Sequence, residues 1–213
     1  MSVAVPRRPE ATVFHNPLTA GSVVLAAAVG EAEGSRGAAA ALACAGAEVD
    51  VAALLVDVGG RVPRPTLIAS AAAQKLEERL RARSPDAQVA ARGQVCHLAV
   101  PADGEGLGEA AAAIDVPRGS LAAVHLPPSL LQPALGDSAL RPTGVLLRAD
   151  LADDRALVAL VARDLLDRGL AVGVLKRRLG WVAERRALFG ALSAGAPGGL
   201  PERLVRRLCG GRR

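Results

Sequence analysis

Short apolar runs alternate with longer amphipathic stretches along the chain, a pattern that predicts a mostly parallel sheet covered by helices. Seven runs read as strands: Val23–Val29, Ala52–Val58, Gln88–Ala91, Val95–Val100, Leu121–His125, Gly144–Arg148 and Ala171–Leu175. Helices are expected between them. Ser35–Cys44 is Ala-rich and is expected to end before Gly46; Ala69–Arg83 carries Leu76 and Leu80 at helical spacing and stops before Ser84-Pro85. Gly106–Ala113 and Pro128–Leu135 are shorter. The clearest helix is Asp153–Arg168, where Leu157, Leu160, Val161 and Leu165 form a stripe, two acids open the first turn and Gly169 follows as the residue that ends it. It lies between two strand runs, so a right-handed β-α-β unit is expected there.

Pro and Gly punctuate the chain at Val62–Pro65 and Gly195–Pro201. The organisation read from this is an N-terminal extension over 1–20, one α/β domain over 21–195, and a basic C-terminal helix and tail over 196–213. At 213 residues, 51% hydrophobic and 22% charged, the composition is globular. Aromatic residues make up 1%, too few to assemble the stacking platforms of single-strand or RNA readers. Ala11–Gly30 carries no formal charge and follows Arg7-Arg8, but its apolar core, Val23–Val29, is too short to cross a bilayer. A cytoplasmic chain is expected, with peripheral membrane contact as an option.

Cys44, Cys96 and Cys209 are widely spaced and odd in number, which predicts neither a disulfide framework nor a zinc site. Cys96-His97 is the one adjacent soft-ligand pair, and it reads as a buried Cys beside a strand-end His. No metal site is expected. No G-x-S-x-G or deaminase spacing is present either.

Ligands of open α/β sheets lie at the carboxyl ends of strands. After the first strand run come Gly30-Glu31-Ala32-Glu33-Gly34-Ser35-Arg36-Gly37 and an Ala-rich helix, the strand–turn–helix geometry of a phosphate cradle. The composition argues against phosphate, because Glu31 and Glu33 put negative charge where it would sit. Arg36 at a helix start is unfavourable unless paired, and Glu31 or Glu33 is the expected partner. Asp57 reads equally as a strand-end turn former, and His125 before Leu126-Pro127-Pro128 as a structural His.

This order of pieces resembles the MinD/ParA family of deviant Walker P-loop ATPases, including its CpaE-like members from pilus-assembly loci. The stretches that carry the resemblance are Val23–Gly37, Leu54–Gly59 with Asp57, Val124–Pro128, Gly144–Arg148 with its helix, and Val174-Leu175-Lys176-Arg177. It implies a three-layer P-loop NTPase-like fold. It also implies lost chemistry. The family's signature Lys falls on Glu31, its phosphate-binding Lys on Arg36, its magnesium-binding Thr on Gly37, its Asp on His125 and its Asn on Lys176. Of the expected polar set only Asp57 survives. The resemblance therefore implies a pseudo-ATPase without ATP or magnesium, its degenerate cradle made by Gly30, Glu31, Gly34, Ser35, Arg36, Gly37, Asp57, His125 and Lys176. The helix that follows the cradle is expected to be shorter than the family's. The implied role is an interaction or localisation factor with a protein partner, with a homodimer open. The alternatives are a nucleotide binder using Arg36, or a basic nucleic-acid-associated protein.

Charge is uneven along the chain. Residues 1–140 carry 11 basic and 14 acidic groups, and residues 141–213 carry 15 and 7. Leu200–Cys209 places Leu200, Leu204, Val205 and Leu208 on one helical face and Arg203, Arg206 and Arg207 on the other, with Arg212 and Arg213 beyond. These arginines could meet an anionic membrane or an acidic partner. Equally, the leucine face could dock on the domain and leave the arginines solvated.

Overall fold

The computed structural model describes residues 22–29, 34–48, 52–62, 68–114, 120–136, 140–149 and 155–175. They form β1 (Ser22–Ala28), α1 (Ser35–Glu48), β2 (Ala52–Val58), α2 (Ala71–Arg83), β3 (Gln88–Arg92), β4 (Val95–Val100) and α3 (Gly104–Ala113). There follow β5 (Ser120–His125), a 3₁₀ turn (Pro128–Leu130), α4 (Leu131–Gly136), β6 (Gly144–Arg148), α5 (Arg155–Asp167) and β7 (Ala171–Leu175). The seven strands make one sheet in the order β3-β4-β2-β5-β1-β6-β7. All neighbours are parallel except β3 and β4. Only Gly93 and Gln94 separate β3 from β4, far short of the dozen or more residues a parallel crossover needs, so that pair must be a hairpin.

The sheet is buried on both faces, which is why its strands read as continuous apolar runs. Val24, Ala26, Leu55, Leu121, Ala123 and Leu146 pack with α1 on one face. Val23, Leu25, Leu54, Val56, Leu98, Val124 and Leu147 pack on the other, with Leu80 of α2, Leu107 of α3, Leu131 of α4 and Leu165 of α5. This is the expected three-layer α/β layout in a single domain, and it is consistent with a P-loop NTPase-like arrangement. From β1 to β2 the chain moves toward the β3 edge over the α1 face. From β4 to β5, β5 to β6 and β6 to β7 it moves the other way beneath the opposite face. The four parallel crossovers therefore share one hand, and the order reverses around β1. The crevice at the carboxyl ends of β1 and its neighbours is then the place where a ligand of this architecture belongs.

The helix ends have local causes. Ser70 caps α2 by accepting from the Ala73 N–H at 3.2 Å, and Asp103 caps α3 by accepting from Gly106 at 2.8 Å. Both helices thus begin at residues set by their caps rather than at Ala69 or Gly106. At the end of α5, Gly169 has φ +87°; its N–H bonds to Leu166 and that of Leu170 to Leu165, the two bonds of a Schellman ending. The helix expected over Ser35–Cys44 instead runs to Glu48 and includes Gly46. Gly46 is not a stop signal. A Cβ there would lie 2.6 Å from Leu121 Cδ2, so the glycine lets α1 approach the sheet. Consequently α1, at 14 residues, is longer than the pattern predicts.

Candidate functional site

Asp57 is the penultimate residue of β2 and His125 the last of β5, and the two are register partners on adjacent strands. Their side chains therefore share the face covered by α1. Asp57 is buried, and its Oδ1 lies 2.9 Å from His125 Nδ1. Because an ionised carboxylate only accepts, Nδ1–H donates. Arg36, in the first turn of α1, reaches across and donates Nε–H to the same Oδ1 at 2.9 Å. Its Nη2 makes a longer contact, 3.4 Å, with the Gly59 carbonyl. The cation at the start of α1, unfavourable there by itself, is thus neutralised by the strand-end acid. The partner found is Asp57, while Glu31 and Glu33 lie outside the described residues.

A third group joins from β4. His97 faces the same side as Asp57, is fully buried, and holds Nε2 3.8 Å from Asp57 Oδ2. That exceeds hydrogen-bonding range, and among the described residues neither ring nitrogen of His97 has a bond. His97 therefore acts on the carboxylate through its dipole and proximity. Burial works to raise the Asp57 pKa, but hydrogen bonding by His125, the neighbouring His97 and the charge of Arg36 outweigh it. The carboxyl is held well below the usual range and stays ionised.

Above the acid, Gly59 (φ +80°) donates its N–H to Val100 O, and the Gly60 N–H bonds back to the Asp57 carbonyl. The turn folds so tightly that a Cβ on Gly60 would overlap Asp57 Oδ2. On the β6 side, buried Arg148 donates Nη1 to the carbonyls of Ala149 and Leu175. Its Nε would stand 3.3 Å from a Cβ at Gly34, which adopts φ +92° just before α1. Of Gly34, Ser35, Arg36 and Gly37 around the start of α1, Arg36 is the one bonded to Asp57, while Gly34 lies against Arg148. Gly30, Glu31 and Lys176, and the tail arginines Arg203, Arg206, Arg207, Arg212 and Arg213, lie outside the described residues.

The Cys96-His97 pair is split by the strand's alternation. Cys96 faces the core opposite α1, where burial pushes its thiol up to about 12, while His97 faces the Asp57 cluster. His97 also stands mid-strand rather than at a strand end. Its place beside Asp57 escaped the sequence because it depends on the β4–β2 register; the signal available was a lone His at the inward period of a buried strand. Among the described residues no group of three or more His, Cys, Asp or Glu is arranged to hold a metal ion. Among them, too, no helix is long and apolar enough to cross a membrane.

The arrangement is a buried carboxylate engaged by its own chain. One oxygen takes two donors, and the other is closed over by Gly60 and faced by His97. No protein-family model and no curated protein matches the sequence.

Proposed function

We infer that this chain is a non-catalytic, degenerate MinD/ParA-like P-loop protein that serves as an interaction or localisation factor, in a setting such as pilus assembly or cell positioning. The observation that carries the reading is the Arg36–Asp57 ion pair. In the resemblance, Arg36 stands at the phosphate-binding Lys position and Asp57 is the surviving acid. Here they engage each other, so the charge that would meet a phosphate is already balanced. Gly37 offers no hydroxyl to a magnesium ion, and His125 offers an imidazole, itself bound to Asp57, where the family has a carboxylate. The protein accordingly works in the cytoplasm without ATP or magnesium, through a protein partner, and its basic tail can add contact with an anionic surface.

Purified protein incubated with ATP and magnesium should release phosphate at the rate of the buffer alone, and ATP should leave its melting temperature unchanged. Hydrolysis above background that Arg36→Ala abolishes would replace this reading with an unusual NTPase. That second reading has one observation in its favour: the Arg36 side chain is 39% exposed, so it can swing from Asp57 toward an incoming anion.

A further inference from the structure

The described fold leaves an apolar stripe open on α5. Val158 and Leu165 enter the core, but Leu157 is 42% and Leu160 67% exposed, one turn apart and beside half-buried Val161. Strands β6 and β7 are parallel, so the helix between them runs antiparallel to both. The first turns of α5, which hold Leu157 and Leu160, therefore sit at the carboxyl edge of the sheet. Leu175, the end of β7, leaves the fold at that same edge.

We propose that the C-terminal segment Leu200–Cys209 of the same chain docks its Leu200, Leu204 and Leu208 face on the Leu157–Leu160 stripe of α5. Its arginines are thereby turned outward. Two features select this occupant. The first is size: two exposed leucines fall far short of the roughly 800 Å² per partner that a stable untethered complex buries. A tethered segment needs much less, because linkage supplies an effective concentration in the millimolar range. The second is reach. The 24 residues between Leu175 and Leu200 would span about 27 Å even as a random coil, more than the roughly 20 Å length of α5. Docking would also remove the leucine face from water while keeping Arg203, Arg206 and Arg207 available.

The test uses the chain's own third thiol. Cys44 and Cys96 are buried, which leaves Cys209 as the reactive partner. Full-length protein carrying Leu160→Cys is treated with a short bis-maleimide and mapped by peptide mass. The same is done with Lys75→Cys, an exposed site on α2 at the opposite end of the sheet. Docking predicts an intramolecular link from position 160 to Cys209 about tenfold above the Lys75 control. It also predicts that adding Leu204→Asp and Leu208→Asp returns the yield to control. Equal yields at the two sites, or a link that survives the two aspartates, would overturn the proposal. A covalent dimer through position 160 as the main product would overturn it in favour of a second copy as the occupant.

Discussion

Replacing Asp57 probes the cluster at its centre. Asp57→Asn keeps the shape and one acceptor oxygen but removes the charge that Arg36 and His125 share. A hydrogen bond to a charged group contributes about 1.5–3 kcal/mol and a neutral one about 0.5–1.5, so each of the two bonds weakens by roughly 1 kcal/mol. The Arg36 share is discounted because that side chain is 39% exposed. A net loss near 1–2 kcal/mol follows for Asn. Asp57→Ala also leaves the buried His125 N–H without its acceptor, which should add about 1–3 kcal/mol to the loss seen for Asn. In a chain of this size each kcal/mol shifts Tm by about 2–4 °C. The pH dependence has a fixed sign. The Asp57 pKa is lower in the folded protein than in the unfolded chain, so its stabilisation is fully present above about pH 4 and is lost as pH falls through the folded value. Urea denaturation at pH 7 and pH 3 should therefore show wild type ahead of the Asn variant at pH 7 and the gap narrowing at pH 3. A gap absent at pH 7, or unchanged at pH 3, would refute the ion-pair account.

Gly60→Ala should destabilise by about 1–3 kcal/mol, since its Cβ overlaps the Asp57 carboxylate, whereas Gly108→Ala in α3, where nothing lies within 4 Å, should stabilise by roughly 0.5–1 kcal/mol. Equal effects in denaturant midpoints would show that the seat over Asp57 is loose. Gly46→Ala should also lose about 1–2 kcal/mol by pressing α1 off Leu121, measurable by the same midpoints. Deletion of residues 200–213 should abolish salt-sensitive sedimentation with anionic liposomes, each basic residue contributing on the order of 1 kcal/mol near such a surface. If truncated and full-length protein sediment alike, the tail is no surface-binding element.

The strands were legible because both faces of a parallel sheet are buried, so Ala52–Val58, Val95–Val100, Gly144–Arg148 and Ala171–Leu175 stand out as predominantly apolar runs, interrupted by Asp57, His97 and Arg148, with the bounds the structure gives them. Asp57, His125 and Arg36 were legible as positions, because strand ends and helix starts are where this architecture gathers polar groups. Their mutual bonding was not. It depends on β2 and β5 being neighbours in register Asp57↔His125, a pairing between residues 68 apart that local pattern does not encode. His97 is hidden for the same reason, and Gly46 reads as a terminator because its cause, the Leu121 side chain, lies in another layer.

Arg36 and Asp57 balance each other's charge at the carboxyl end of the sheet, and on the proposed function no nucleotide displaces that pair. Calorimetric titration of full-length protein with ATP and magnesium, alongside Arg36→Ala, tests this most directly. No saturable heat is predicted for either protein. Saturable binding with a Kd near 1 μM, about −8 kcal/mol, lost in the Arg36 variant would contradict it.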